Sequence, residues 1–244
     1  VKDWAISHNI EVFQPVSYKS KDELGRILNE EWDLFVVVAY NFILPKWFLE
    51  IPKKGVINVH PSLLPKLRGA SPIRTAILED KTDEVGVSIM LMDEKMDHGP
   101  ILKKEQVLIN DDNWPIEGPT LDEILSKKGG EMLAEVIKLW LSGDCAPQEQ
   151  NHDEATYTKR FNKDDAKIKL NPLALPTDPE TSRKLLCKIN AFIGIGDTFF
   201  EYEGTRVKIK QAKLVLDDSL RLLRVTPAGK PEMDFDRYLQ SITS

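Results

Sequence analysis

Three residues have types and spacing suited to acyl-type chemistry. In the segment GVINVHPSLLP, Asn58 and His60 stand two apart where an apolar run meets Pro61. On a strand, residues two apart project from the same face, so an amide donor would lie beside an imidazole. Asp97 follows in Met92-Asp-Glu-Lys-Met-Asp-His-Gly-Pro100, a loop after a second apolar run, VGVSIMLM. If the two strands are neighbours, the three side chains converge at one sheet edge. A donor and a protonatable ring would then receive a developing oxyanion, and a carboxylate would hold the ring's charge and take up a proton. The turn Pro61-Ser62-Leu63-Leu64-Pro65 reads as a rigid apolar wall for a flat ring, with free N–H groups for its polar edge. By spacing alone, strand-end capping by Asn58 and His60 outweighs catalysis.

The elements that would carry these residues form an α/β pattern. Over residues 1–150, helical periodicity alternates with short apolar runs, the mark of a parallel sheet covered by helices. Ser20-Lys-Asp-Glu23 predicts a capping box opening a helix to about residue 31. Leu34–Tyr40 is apolar throughout and predicts a strand buried on both faces, with residues 55–59 repeating the pattern. Residues 72–78 predict a short helix, 85–92 a strand and 106–109 a shorter one. Thr120-Leu-Asp-Glu123 predicts a second capping box, opening an amphipathic helix that Gly143 ends, with Gly129-Gly130 as a weak spot or kink. Residues 151–172 turn polar and read as a surface linker. Residues 173–244 then form a second unit, with helices over 179–191 and 235–239 and strands over 198–202, 205–214 and 220–226. That pattern predicts a small barrel or open sheet.

Composition narrows the possibilities. With 244 residues, 41% of them hydrophobic, the chain can bury a sizeable core, and no apolar run approaches the roughly 18 residues a bilayer span requires. No charged-then-apolar leader opens the chain, so the expected setting is cytoplasmic or an organellar matrix, away from membranes. Cys145 and Cys187 lack any zinc-site or disulfide-framework spacing. Charge is uneven: residues 1–150 hold 17 basic and 25 acidic side chains, and residues 151–244 hold 16 and 14. A polyanion-binding surface would therefore sit on the second unit. There Arg206, Lys208 and Lys210 alternate with Val207 and Ile209, giving one basic strand face. Val1 is not a methionine and opens a helix-like VKDWAISHN, so the chain is expected to be truncated at its N-terminus.

Longer strings carry a resemblance. VFQPVS at 12–17, VVVAYNFILPK at 36–46, GVINVHPSLLPKLRGASPI at 55–73, VGVSIMLMDEKMDHGPIL at 85–102 and RLLRVTPAGKPEM at 221–233 resemble the methionyl-tRNA formyltransferase family over almost the whole chain. The resemblance implies a Rossmann-like formyltransferase domain and a small OB-like barrel that contacts tRNA. It implies that Asn58, His60 and Asp97 are catalytic, with His60 protonated, and that Ser62, Leu63, Leu64 and Pro65 contact folate. Tyr40, Ile43 and Leu44 either wall that pocket or are plain packing residues. The expected reaction moves a formyl group from 10-formyltetrahydrofolate, without a metal, to the α-amine of initiator methionyl-tRNA, by a monomer. Arg206, Lys208 and Lys210 become candidate tRNA phosphate contacts, the alternative being an ordinary solvated strand face. By analogy with a βαβ unit plus a long loop, about 70 further residues would precede Val1 in the family. The segment 190–196 lacks the family's Trp–Pro wording. An amino-sugar nucleotide N-formyltransferase is the rival enzyme, and a folate- or tRNA-binding fragment without turnover is the rival binding protein.

Overall fold

The computed structural model describes residues 1–15, 24–40 and 42–243. The capping box expected at residues 20–23 lies outside them. The short helices α1 (Lys2–Ser7) and α2 (Gly25–Asn29) precede β1 (Phe35–Val38), which α3 (Lys46–Leu49) separates from β2 (Val56–His60). A two-residue β3 (Arg68–Gly69) and α4 (Pro72–Leu78) lead to β4 (Gly86–Leu91) and β5 (Ile101–Gln106). Strands β1, β2, β4 and β5 form one sheet in that spatial order.

The sheet differs from the expected parallel arrangement. Only β1 and β2 run parallel; β4 is antiparallel to β2, and β5 to β4. Nor is β1 buried on both faces. It lies at the sheet edge, where Val36 and Val38 are 42% and 60% exposed while Phe35 and Val37 are half-buried. A run of apolar residues gives a strand either way, because β-branched side chains suit the pleat, but it does not specify what covers each face.

The long helix α5 (Gly118–Ser142) closes one side of this sheet. Its Leu121, Leu125, Met132 and Val136 share a core with Ile57, Val87 and Ile89. It begins at Gly118, with Pro119 in the first turn and no side-chain cap, so the expected capping box at 120–123 is not its start. Gly143 ends it in the left-handed conformation, at φ 86°. The helix runs unbroken through Gly129, where an added Cβ would stand 2.9 Å from Val59 Cγ1. That glycine lets helix and sheet approach; it is not a defect.

The polar stretch after α5 is more than a linker. Its β6 (Tyr157–Thr158) pairs in parallel with β3. Asp178 then caps α6 (Pro179–Phe192), its carboxylate accepting the Thr181 N–H at 2.8 Å. Strands β7 (Phe199–Tyr202), β8 (Thr205–Leu214), β9 (Leu220–Pro227) and β10 (Met233–Asp234) form an open antiparallel sheet in the order β10-β9-β8-β7, followed by α7 (Phe235–Thr243). Leu186 and Ile189 of α6 pack with Phe200, Val207, Ile209, Leu222, Val225 and Tyr238 in a second core. The same helix also faces the first unit: Phe192 belongs to the first core, Asn190 Nδ2 donates to Pro115 O at 2.6 Å, and Arg183 pairs with Asp80 at 3.0 Å.

Candidate active site

β2 delivers Asn58 and His60 to the face turned away from α5, since the intervening Val59 meets Gly129. Because β4 is antiparallel, its end lies beside the start of β2, with Leu91 opposite Ile57. Convergence is therefore made by the loops. The chain leaving β2 folds back through β3, and the 92–100 loop returns until the Gly69 N–H donates to Asp97 Oδ2 at 2.7 Å. Asp97 Oδ1 then stands 3.6 Å from His60 Nδ1.

The ring orientation of His60 follows from its other nitrogen. Nε2 lies 3.0 Å from Leu67 O, an atom that only accepts, so Nε2 carries a hydrogen and Nδ1 is the titrating position. Burial pushes the His60 pKa below its ordinary 6.5; Asp97 and Leu67 O oppose the shift, and the Arg68 charge adds to it. Burial thus works against the protonated ring, while the ring is turned toward a carboxylate that would stabilise a proton arriving on Nδ1.

Asn58 and Asp97 open into a cleft of about 270 Å³. One wall is apolar, from Tyr40, Phe42, Ile43 and Leu44; His60 sits behind the lining. The Asn58 carboxamide is half-buried and has no hydrogen-bond partner among the described residues, which leaves both its hydrogens for a ligand. Tyr40, Ile43 and Leu44 are therefore brought to Asn58 and Asp97. A larger apolar groove of about 800 Å³ alongside β1 shares Val37, Tyr40, Phe42 and Leu44 with the cleft.

The turn Ser62–Pro65 is placed otherwise than expected. Its N–H groups are not free: Ser62 N donates to His60 O at 2.9 Å, Leu63 N to Glu84 O at 3.3 Å and Leu64 N to Ser88 Oγ at 3.0 Å. Ser62, Leu64 and Pro65 are buried, and none of the four lines the cleft. Adjacency to strand β4 explains this, because Ser88 bridges the turn, also donating to Ser62 O at 2.7 Å.

The basic face on β8 exists, and its charges are engaged within the fold. The Arg206 guanidinium sits 3.6 Å above the Phe199 ring. Lys208 and Lys210 approach the same buried Asp197 carboxylate, at 3.6 and 2.9 Å. Several residues near the cleft gave no signal in the sequence. Lys95, Met96 and Arg160 line it. Arg160 arrives from the supposed linker through the β3–β6 ladder. His98 is not in the lining; it pairs with Asp93 at 2.6 Å and stacks on His152 at 3.9 Å.

Comparison with known proteins matches this arrangement to a family. The pattern of the formyl transferase family matches residues 4–137. A methionyl-tRNA formyltransferase of Fusobacterium nucleatum is 36% identical over 214 residues, covering 88% of this chain and 65% of that protein. One of Clostridium perfringens is 43% identical over 169 residues, covering 69% of this chain and 53% of its own length. The chain thus spans between about half and two thirds of these relatives. Among solved structures, a 4-N formyltransferase from Francisella tularensis aligns with a TM-score of 0.64 at 23% identity, covering 83% of this chain and 76% of that one. The methionyl-tRNA formyltransferase of Clostridium thermocellum aligns at 0.61 and 19% identity, covering 96% and 92%. These two likenesses establish the fold, and the matched pattern, which takes in Asn58, His60 and Asp97, establishes that this chain belongs to the formyl transferase family.

Proposed function

We propose that the chain transfers a formyl group from 10-formyltetrahydrofolate to the α-amine of methionyl initiator tRNA. The observation that carries this reading is the pairing of an unengaged Asn58 carboxamide with the Asp97 carboxylate in a cleft whose other wall is apolar. The naming of the relatives at 36% and 43% identity supports the choice of acceptor. Tyr40, Ile43 and Leu44 suit a flat heteroaromatic ring, and Ser62–Pro65 brace the cleft from behind.

The folate donor supplies an amide-like formyl carbon. As the amine nitrogen bonds to that carbon, Asn58 donates to the oxygen that gains charge. Asp97 takes the proton the amine loses and shares it with His60 Nδ1, at 3.6 Å, so the imidazolium forms during turnover. The proton is returned to the folate nitrogen as its bond to the formyl carbon breaks. Lys208 and Lys210, 41% and 34% exposed, are the proposed phosphate contacts of the second unit, with Arg206 anchoring the strand between them and Phe199. The proposed setting is the cytoplasm, as a monomer; no described helix is long and apolar enough to cross a membrane.

The test is formyl transfer measured side by side with charged initiator tRNA and with an amino-sugar nucleotide as acceptor. Turnover with the tRNA alone is expected. Turnover with the sugar alone would replace this reading, and donor binding without transfer to either would make the chain a binding protein.

A further inference from the structure

Arg68 presents an unusual arrangement beside the active site. It is 1% exposed, and among the described residues its guanidinium forms no ion pair with a carboxylate. Its partners are neutral: Gln150 Oε1 accepts from Nε at 3.2 Å and from Nη2 at 2.6 Å, Tyr157 OH lies 3.3 Å from Nη1, and His152 Nδ1 lies 2.9 Å from Nη2. A buried guanidinium is more readily accommodated against an acid, so a glutamine at position 150 needs a reason.

The reason lies at the other end of the side chain. Guanidinium only donates, so the Gln150 oxygen must face Arg68 and the Gln150 nitrogen must face away. There Nε2 donates to Asp97 O at 3.0 Å and to Gly99 O at 2.6 Å, using both its hydrogens. A glutamate would pair better with Arg68 and set an oxygen against two carbonyls. The loop needs such a hold. Asp97 occupies a left-handed conformation at φ 48°, strained for a residue with a side chain, and at Gly99 an added Cβ would lie 2.1 Å from Leu91 O.

We infer that Gln150 is a positioning residue for Asp97: oriented by Arg68, its carboxamide clamps the carbonyls of residues 97 and 99 and so holds the Asp97 carboxylate between the Gly69 N–H and His60. The kinetic part of the test rests on the formyl-transfer reading, and the exchange part does not.

The Gly69 amide reports the clamp, because its N–H is given to the Asp97 carboxylate, whereas the neighbouring Arg68 amide is given to Thr156 O at 2.9 Å. In Gln150→Glu, the Gly69 amide is expected to exchange with solvent at least about tenfold faster while the Arg68 amide holds its wild-type rate. The same chain is expected to melt cooperatively, with kcat reduced at least about tenfold and KM for the formyl donor little changed. Should Gln150→Glu not fold, Gln150→Asn, whose shorter side chain withdraws the amide from the two carbonyls, is read in the same way. Unchanged Gly69 exchange overturns the clamp, and wild-type kcat in the face of faster exchange overturns its role in positioning. If the wild-type chain transfers no formyl group, the functional reading falls and Gly69 exchange alone decides the clamp.

Discussion

Exchanging the Asp97 carboxylate for a carboxamide separates its charge from its shape. Asp97→Asn keeps an oxygen for the Gly69 N–H and loses the charge that faces His60 Nδ1. Cooperative melting is expected to persist while kcat falls at least about tenfold, about 1.4 kcal/mol of transition-state stabilisation. A variant retaining more than about a tenth of kcat takes Asp97 out of the chemistry. His60 yields a second prediction, through stability. Its pKa lies below 6.5 in the folded chain, so below that pH the unfolded chain binds the proton more readily. The stability His60 contributes is present above 6.5 and is lost as pH falls toward its folded value. The melting midpoint should therefore drop on acidification through 6.5, and less steeply in His60→Gln; equal slopes would show that His60 is not held neutral. Asn58, His60 and Asp97 could be singled out in the sequence because two sit on one strand face and the third follows a neighbouring strand, but spacing alone favoured strand-end capping, and only the longer family strings made them catalytic candidates. Gln150 could not be, since it lies 82 residues from Arg68 and its role exists only once the 92–100 loop is in place.

Among the elements, α5 tests how closely helix and sheet are pressed together. Nothing lies within 4 Å of a Cβ added at Gly130, so Gly130→Ala should stabilise the chain by about 1 kcal/mol. At Gly129 the same atom meets Val59, and Gly129→Val should cost about 1–3 kcal/mol. Urea unfolding compares them, and equal responses would mean that the helix does not rest on β2. The sequence showed two adjacent glycines in a helix and suggested a kink; only the facing strand distinguishes them. Strand direction was similarly hidden, for apolar content is compatible with β4 running either way. On β8, alternation with Val207 and Ile209 predicted the basic face, but the Asp197 carboxylate that neutralises part of it comes from a turn with no apolar period. Lys208 is the cleaner probe, because Lys210 remains to pair with Asp197. Lys208→Gln should weaken tRNA binding and lower its salt slope by about 1, leaving the formyl donor unaffected. An unchanged slope returns Lys208 to an ordinary solvated face.

For the molecule as a whole, the described edge of the first sheet is the place where an unwanted contact between chains would be expected. β1 has no described strand on its outer side, and the groove beside it is lined by Phe13, Leu24, Trp32, Val36, Val38 and Phe48 among others. Such an edge templates pairing between chains unless charge blocks it. Val36→Lys combined with Val38→Lys is expected to reduce self-association in light scattering, with the melting midpoint little changed; identical scattering would show that the edge is not the contact. The β3–β6 ladder bears on how the chain divides into parts. Helix α5 stops at Ser142 and the formyl transferase match at residue 137, ahead of Gln150. Yet Thr156 Oγ1 accepts the Leu67 N–H at 2.8 Å, Thr158 Oγ1 accepts the Ser71 N–H at 3.0 Å, and Gln150 grips the Asp97 loop. The segment that leaves the formyl transferase half is thus also a strap wound back over the candidate site. Anyone exchanging the second unit for another must splice beyond Thr158, because a graft made where the helix ends would remove the strap along with the unit.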